Sequence, residues 1–456
     1  MAETMAALLR GDAAAFETLL QSLMSAQNEQ RSAAEAMFTE LKKVPDVCVG
    51  SLVRSLRHSS DTMHRSLSAV LLRKTLTRDD ESIWGKLSND AKELVKTECL
   101  NCIKEEPQAV ITKKVCDLVS QLAVGLVEEG GWPALLPFMF QCVRSGQERY
   151  VESSLLVFAQ LAKHVMNVLV QYLDTLHEIL KACLAHESMD VRLAAMKATC
   201  SFVEELESAS ERDRFQDLVP LLIQTIGRAL NSGEDPAAQD ALALLIEIAE
   251  AHPRFFRRQL ADVVEAMLQI ANSEDVDAGP RSLAAELLVT LCEGREKAPG
   301  MMRKLPSIAE RLLGTLLRFL LDVEDAPEWH TAEEDKDEDA GEGELYEFGQ
   351  ECLDRVSLAL GGKTLLPSVA RALPALQADA SSWQSRAAAL IALAQIAEGC
   401  AKVMAREAGP LCDLCVRGAQ DAHARVRWAS CQALGQLCTD LGPDLQDEHH
   451  ARILPT

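Results

Sequence analysis

Apolar residues recur along this chain at helical steps of three and four, and the same pattern returns about every forty residues. Counted from an arginine near the start of each copy, a small residue follows at the third position and apolar residues at the sixth and tenth. This spacing predicts an amphipathic helix that lies close to its neighbours, and its return predicts stacked helix pairs. The clearest copies are DVRLAA from Asp190, GPRSLAAE from Gly279, WQSRAAAL from Trp383 and ARVRWAS from Ala424.

Extended along the chain, the pattern predicts an all-α solenoid of about ten helix pairs, a single quasi-one-dimensional body in which each repeat contacts mainly its neighbours. No alternating strand pattern competes with it. Prolines fall near the predicted helix starts or between helices, where a missing N–H is tolerated: Pro45, Pro133, Pro220, Pro253, Pro306, Pro367 and Pro410. The predicted pairs span residues 16–43, 45–78, 87–129, 132–168, 169–208, 215–252, 255–298, 303–361, 364–402 and 404–441.

One interval is longer than the others, because the eighth pair carries an insertion over residues 322–347. Thirteen of its residues are acidic and only Lys336 is basic. Such a run repels itself and buries little, so we expect a mobile loop between the two helices of the pair. It either serves solubility alone or binds a partner, and Trp329 and Tyr346 at its flanks favour binding.

A row of carboxylates follows the same register. Twelve residues after the register position, or one residue further in the last copy, the chain has Glu204, Glu250, Glu293, Glu398 and Asp440. We expect them in the last turns of their helices, where the helix dipole disfavours an acid, so another role should favour them. Equivalent positions on stacked helices form a line, and this row would suit an extended basic peptide. The alternative is chance combined with the general acidity of the chain.

Composition narrows the possible partners. The net charge is −23 and the pI about 4.9, which argues against nucleic-acid binding, because phosphates need lysine and arginine. Basic proteins are the favoured partners. The chain has no signal peptide and no run of eighteen apolar residues, so we expect no membrane span, an intracellular location and reduced thiols among its fourteen cysteines.

The sequence contains only weak signals for catalysis and for metal or cofactor binding. Two CxxC pairs, Cys99 with Cys102 and Cys412 with Cys415, lie in helical segments without further ligands at zinc-site spacing, so we interpret them as buried thiols. The GGKT segment from Gly361 is preceded by a predicted helix, whereas a phosphate-binding loop needs a strand there. The ten histidines are scattered. We therefore predict no enzyme, no cofactor and no metal.

Several segments resemble the importin-beta family. RSAAEAMFTEL from Arg31, HRSLSAVLLRKTL from His64, Trp84 and KKVCDLVSQLA from Lys113 are similar to its N-terminal repeats. ECLDR from Glu351, LGGKTLLP from Leu360, IAEGC from Ile396 and HARVRWASCQALGQLCTD from His423, in this order after an acidic loop, resemble its karyopherin-beta-three branch, also called importin five. The resemblance covers essentially all 456 residues.

The resemblance implies a right-handed superhelix of HEAT repeats that acts as a monomer and shuttles between cytoplasm and nucleus. It would carry basic cargo such as ribosomal proteins or histones, touch FG-repeat nucleoporins and release cargo when Ran-GTP binds. The family's Ran contacts correspond here to Arg65, Arg73, Lys74, Lys113, Lys114, Glu333, Glu334, Asp335, Asp337, Glu338 and Asp339. Cargo contacts of this branch correspond to Asp354, Glu398 and Asp440, two of which belong to the carboxylate row.

Register and resemblance together divide the chain into four stretches. These are residues 1–130 with repeats one to three, 131–302 with repeats four to seven, 303–361 with repeat eight and its insertion, and 362–456 with repeats nine, ten and the start of an eleventh. Because the chain stops at HHARILPT, where another pair should begin, we expect the front part of a longer protein. A HEAT-repeat scaffold subunit of a non-transport complex remains the alternative function.

Overall fold

The computed structural model describes residues 2–78, 82–331 and 339–454, apart from the side chains of Ala2 and Glu128. It forms two compact units, Met1–Phe215 and Gln216–Thr456. The helices of the first unit are α1 (Ala2–Leu9), α2 (Ala13–Leu23), α3 (Asn28–Leu41), α4 (Pro45–His58), α5 (Thr62–Thr77), α6 (Asn89–Glu105), α7 (Ala109–Glu128), α8 (Leu135–Val143), α9 (Glu148–Leu169), α10 (Leu173–Leu184), α11 (Met189–Glu205) and α12 (Ala209–Arg212).

The second unit is built in the same way. Its helices are α13 (Val219–Asn231), α14 (Asp235–Ala251), α15 (Leu260–Ala271), α16 (Ala278–Glu293), α17 (Ile308–Phe319), α18 (Glu344–Leu360), α19 (Gly362–Gln377), α20 (Trp383–Gln395), α21 (Ala397–Met404), α22 (Ala408–Gly418), α23 (Ala424–Asp440) and α24 (Asp444–Ile453).

Neighbouring helices pack as pairs. The first unit contains α2 with α3, α4 with α5, α6 with α7, α8 with α9 and α10 with α11, and the second contains α13 with α14, α15 with α16, α17 with α18, α19 with α20 and α22 with α23. The second helices also pack on one another, in the orders α5, α7, α9, α11 and α14, α16, α18, α20, α23. The prediction of an all-α fold of ten helix pairs is confirmed, whereas the handedness of the superhelix and the four-part division stay predictions.

The register arginines have a structural role that the sequence pattern did not reveal. Each donates to a backbone carbonyl at the end of the preceding helix or in the turn that follows it: Arg192 to His186, Arg281 to Ala271, Arg386 to Asp379, and Arg427 to Asp421 and Ala422. A helix leaves its last carbonyls without partners, and a cation there also opposes the negative end of the dipole. The repeated arginine therefore fixes the turn within each pair.

The small residues of the register are buried where helices approach closely. Ala195, Ala284, Ala389 and Ser430 are completely buried, and the apolar residues that follow them line the same core. Larger side chains at these four positions would hold neighbouring helices apart. The register thus describes packing between helices as well as the burial of one face.

One helix was not predicted, and two local predictions were wrong. Helix α1, rich in alanine and leucine and packed on α2 and α3, precedes the first predicted pair. Pro367 lies inside α19 rather than near its start, and Pro374 lies there too. The second helix of the ninth pair ends at Gln395, and Glu398 therefore lies in the first turn of α21 instead of a last turn. An acid in that first turn is favoured by the dipole.

The flanks of the insertion are ordered, contrary to the expected mobile loop. Val323 and Glu342 form an antiparallel bridge, and a 3₁₀ turn covers Pro327–His330. Both flanks pack around Arg425 of α23, which is 1% exposed. Its guanidinium donates to the Ala340 carbonyl at 2.8 Å, pairs with the Glu342 carboxylate and lies 4.9 Å from the Trp329 ring. One buried cation thus offsets the repulsion that the acidic composition predicts.

One stretch, Glu148–Leu184, is long and apolar enough to cross a membrane by length and composition alone. Of its most apolar part, 56% is buried within the fold. Leu155, Phe158 and Leu161 of α9 are each at most 1% exposed, as in a core helix that packs on α7 and α11.

Candidate functional site

Three carboxylates of the second unit lie together, and we call Asp354, Glu398 and Asp440 the acidic trio. They come from α18, from α21, which follows the ninth pair, and from α23, and α21 packs on both of the other helices. Among the described residues, no lysine, arginine or histidine forms an ion pair with any of the three. Asp440 accepts a hydrogen bond of 2.8 Å from the Gln436 side chain. The trio therefore concentrates negative charge that no ion pair within the described part of the chain compensates.

The pKa of Asp354 reflects this concentration of negative charge. Partial burial raises the pKa of the Asp354 carboxyl, and the charges of Glu398 and Asp440 raise it further. Both causes disfavour the ionised form, and a nearby cation would reverse the second of them. Perturbed pKa values cluster at functional sites, so this carboxyl is a candidate binding residue.

A glycine brings the trio together. A side-chain carbon added at Gly399 would lie 2.3 Å from the backbone carbonyl carbon of Ser357, so α21 approaches α18 without space for any side chain there. Glu398 lies next to Gly399 in the first turn of α21, and Ser357 lies about one turn after Asp354 in α18. Sequence register placed Glu398 in the row, but the break and the close approach decide which neighbours it has.

The next acids along the row have a different environment. Arg355 of α18 reaches back to α16 and holds the carboxylates of Glu286 and Glu293 with four hydrogen bonds of 2.7 to 2.8 Å. These contacts raise the pKa of the Arg355 guanidinium above its ordinary value, with Glu293 as the larger cause. We call this group the Arg355 clamp. Glu293, predicted as a cargo residue, is thus neutralised within the chain.

The remaining row positions are also near cations or partners. Glu250 is exposed at the end of α14, where Lys297 donates to its backbone carbonyl. Arg295 and Arg303 donate to the carbonyls of Leu358 and Ala359 at the end of α18. Glu204 lies half-buried in the last turn of α11, with interactions of its own. The row therefore does not present equal carboxylates along its length, and its role in cargo binding stays a prediction.

The predicted Ran residues of the first unit lie on α5 and α7. Arg65 holds the buried carboxylate of Glu106 at 3.1 and 3.2 Å and donates to Ser59 in the preceding turn. The other partners within the chain are Asp117 for Arg73, Glu152 for Lys113 and Ser66 for Lys114. Lys74 is exposed and has no acidic partner among the described residues. Most of these cations thus have partners within the fold and are not free surface charges.

The structure describes only the end of the acidic part of the insertion, beginning at Asp339. Glu333, Glu334, Asp335, Asp337 and Glu338 lie outside the described residues, and Asp339 lies at their edge. The charge of Asp339 raises the pKa of the nearby Glu342 carboxyl, although burial of Glu342 is the larger cause and Arg425 opposes both.

An apolar groove separates α19 from α22, the first helices of the ninth and tenth pairs. Its volume is about 850 Å³, and Lys363, Glu407 and Arg417 are among the residues that line it. The apolar lining includes Leu366, Pro367, Leu373, Met404, Leu411 and Leu414. No sequence signal predicted it, because such a groove depends on how far apart two helices lie.

The two CxxC pairs are buried thiols, as the sequence predicts. All fourteen thiols are free, and the two CxxC pairs are buried inside α6 and α22. Burial raises the pKa of Cys415 to about 12 and that of Cys102 to about 11, so both are protonated at neutral pH. The GGKT segment follows helix α18 rather than a strand, so it lacks the context of a phosphate-binding loop.

Three family models match the chain. They are described as IPO5-like TPR repeats over residues 107–266, an importin repeat over 272–367 and a HEAT repeat over 411–441. Importin subunit beta-3 of Saccharomyces cerevisiae is 27% identical over 96% of this chain, and a probable importin-5 homolog of Dictyostelium discoideum is 25% identical over 84%. This chain spans 40% and 35% of the length of these two relatives.

Solved structures of Kap121p share the fold. Kap121p bound to RanGTP matches 99% of this chain with a TM-score of 0.83 and 27% identity, and Kap121p bound to Pho4p matches 97% with 0.84 and 26%. In each case the match covers 42% of the other chain. Related structures contain Kap121p bound to Nup53p and a Kap121p variant with two aspartates and one glutamate changed to lysine. The resemblance in the sequence is confirmed, and the chain belongs to the importin-beta family.

Proposed function

We propose that this chain is part of a nuclear import receptor whose acidic trio binds the lysine-rich import signal of a basic cargo protein. The observation that carries the proposal is the set of three carboxylates from successive repeats without cationic partners in the described chain. Kap121p, which shares the fold, is seen with Pho4p, and a Kap121p variant with three acids changed to lysine is also known. Those substituted positions are 43 and 42 residues apart, against 44 and 42 for the trio.

The geometry of stacked helices defines what would fit. Successive helices lie about 8 to 10 Å apart, and an extended peptide advances about 3.3 to 3.6 Å per residue. Lysines at about every third position would therefore meet successive members of the trio. Each partly exposed pair would contribute up to about 1 kcal/mol, so specificity would come from several correctly spaced pairs.

The decisive experiment is charge reversal in the full-length protein, compared with a matched reversal in the same row. Glu398→Lys with Asp440→Lys removes two attractions and adds two repulsions, so we expect affinity for a lysine-rich peptide to fall about thirtyfold, or 2 kcal/mol. Glu250→Lys, in the equivalent position of α14, should change it less than threefold. Calorimetry measures the affinity of both variants, with peptides whose lysines stand at every third or at every second residue. Equal affinity of the double variant would contradict the proposal.

We further propose that Ran-GTP binds the α5 and α7 helices and the acidic part of the insertion, and that this binding releases cargo. The support is the resemblance together with Kap121p, which is seen bound to RanGTP. Deleting residues 333–339 should weaken Ran-GTP binding more at low salt than at high salt, because a Coulombic contribution is screened. Unchanged affinity at low salt would remove the insertion from the interface.

The apolar groove between α19 and α22 is our candidate for contact with the phenylalanines of FG-repeat nucleoporins. Its support is the apolar lining and Kap121p, which is seen with the nucleoporin Nup53p. Leu366→Lys with Leu414→Lys should abolish retention on FG-repeat beads, while Leu94→Lys, an exposed leucine on α6, should not. Retention by beads whose phenylalanines are replaced by serine would show that the contact is unspecific.

These proposals assign the chain to shuttling between cytoplasm and nucleus without catalysis, without a membrane and without direct contact with nucleic acid. The alternative, a HEAT-repeat scaffold of another complex, would hold proteins without regard to Ran. A pull-down with Ran-GTP and Ran-GDP separates the two functions, because only a receptor should prefer the GTP form. Equal capture of both forms would favour the scaffold.

A further inference from the structure

Two histidines and one carboxylate meet where the insertion contacts the tenth pair. The Nε2 atoms of His330 and His423 lie 2.7 and 3.1 Å from the same Asp325 oxygen, and the three candidate ligand atoms all lie within 4.8 Å of one another. Residues 330 and 423 are far apart in sequence, so no spacing motif relates them. The function proposed above does not use this group.

The surrounding structure holds the His423 side chain in place and fixes the backbone that carries the other two residues. His330 ends the 3₁₀ turn Pro327–His330, and His423 immediately precedes α23. The His423 ring stacks on Trp383 at 4.0 Å with parallel planes, and its side chain is 11% exposed. The Arg425 contacts fix both flanks of the insertion against the same helix. Preorganised ligands of this kind lose little freedom when an ion binds.

We propose that Asp325, His330 and His423 bind a divalent transition-metal ion, for which Zn²⁺ is the probe of choice. Two imidazole nitrogens and one carboxylate oxygen are a common ligand set for zinc, with a fourth position left for water. At the usual zinc–ligand distances of about 2.0 to 2.2 Å, tetrahedral ligand atoms lie about 3.3 to 3.6 Å apart. The two nitrogens lie 2.7 and 3.1 Å from the Asp325 oxygen, and no two of the three atoms are more than 4.8 Å apart. Rotations of the half-exposed His330 and Asp325 side chains would bring the atoms to the tetrahedral spacing.

The protonation of the two histidine rings determines how tightly the site should bind a metal ion. Metal binding through Nε2 leaves the remaining ring proton of His423 on Nδ1, which now accepts the backbone N–H of Arg425 at 3.3 Å. That capping bond would be lost. The hydrogen bond from His330 keeps the pKa of Asp325 below its ordinary value, so this ligand is ionised at neutral pH. Metal ions bind only unprotonated imidazole nitrogens, so we expect a site of moderate affinity that weakens in acid.

An ion here would join the insertion of the eighth pair to α23, the helix that ends with Asp440. It would act as a clip between two segments that otherwise meet through Arg425 and Trp329. This inference rests on the site alone and would survive if the import function proved wrong.

The test is metal binding by the purified chain without a histidine tag. We expect one Zn²⁺ per chain in calorimetry, a higher melting temperature with Zn²⁺, and the strong visible bands of four-coordinate Co²⁺. His330→Ala and Asp325→Asn should each weaken Zn²⁺ binding at least about tenfold and remove the Co²⁺ bands. His58→Ala, an exposed histidine at the end of α4, should change neither.

The variants chosen leave the stacked His423 and the buried Arg425 intact, so loss of folding is not expected, and circular dichroism checks it. Unchanged Zn²⁺ affinity in His330→Ala and Asp325→Asn would overturn the proposal. So would a Co²⁺ spectrum with thiolate charge-transfer bands that disappears in Cys431→Ser, because that result places the ion on the exposed thiol.

Discussion

The Arg355 clamp and the acidic trio are neighbouring groups of carboxylates on the same kind of helix, yet their environments are opposite. In the clamp, one guanidinium holds Glu286 and Glu293, and these acids stabilise the packing of α18 on α16. In the trio, burial and the two neighbouring acids raise the pKa of Asp354, and no cation forms an ion pair with the three acids in the described structure. Asp354 and Arg355 are adjacent in sequence but face different neighbours. A carboxylate at a given register position is therefore structural or available for binding according to what the next helix presents.

Among the variants that test this difference between clamp and trio, Gly399→Ala should have the largest effect on stability and on peptide binding. The added carbon would lie 2.3 Å from the Ser357 backbone, which cannot move aside as a side chain could. Overpacking of this kind costs about 1 to 3 kcal/mol. We expect lower stability in chemical denaturation together with weaker peptide binding, because α21 would carry Glu398 away from Asp354.

Gly435→Ala is the matched control, since its added carbon meets nothing within 4 Å. It should leave both measurements close to those of the parent chain. If Gly399→Ala behaved in the same way, the close approach of α21 to α18 would not determine the trio.

A smaller effect is expected from Arg355→Gln, which removes the cation from the clamp. Glu286 and Glu293 would then repel each other in a partly buried site, at a cost of about 1 to 2 kcal/mol, less than for a fully buried pair. Thermal unfolding measures the loss. Peptide affinity should rise slightly, because the clamp would become a second group of uncompensated acids.

Adding Glu286→Gln and Glu293→Gln to Arg355→Gln should restore much of the stability and remove the gain in peptide affinity. A single Arg355→Gln variant as stable as the parent chain would mean that the clamp contributes nothing, and the contrast with the trio would then be one of geometry alone.

The smallest effect concerns Asp354→Asn, for which we expect a gain of less than about 1 kcal/mol in stability at pH 7. The folded state raises the pKa of Asp354, so it binds the proton more tightly than the unfolded state does. Ionisation therefore costs stability as pH rises from the unfolded value through the folded one. The gain should shrink as pH falls through that window, which thermal unfolding at several pH values would measure.

The same variant should bind a lysine-rich peptide less tightly, so stability and binding would change in opposite directions. If Asp354→Asn were less stable than the parent chain at pH 7, Asp354 would have a favourable partner, and the distinction between trio and clamp would fail. Stability–function trade-offs of this sign are common at binding sites.

Prediction from the sequence succeeded where local pattern determines structure. Ten helix pairs, their approximate bounds and the burial of Ala195, Ala284 and Ala389 follow from periodicity, because a helix must bury its apolar face. Burial of the CxxC thiols followed for the same reason. The break at Ile396 was not predicted, since the apolar pattern continues across it.

Contacts between distant segments explain the rest. The composition of residues 322–347 predicted mobility, but Arg425, which lies far along the chain, orders the described flanks. The meeting of His330 with His423 depends on the same contact. Five of the acids assigned to Ran lie outside the described residues, so that assignment still rests on resemblance.

The sequence by itself determined the class of this protein: an acidic, all-α array of helix pairs from the importin-beta family. Periodicity, composition and family motifs are local or summed properties of the chain, so no coordinates are needed to read them. Only the tertiary structure decided which acids are neutralised and which are uncompensated, because charges interact over a few ångströms in space. Arg355 and Asp354 are one residue apart in α18, and a helix turns by about 100° per residue, so they meet different neighbouring helices and separate the clamp from the trio.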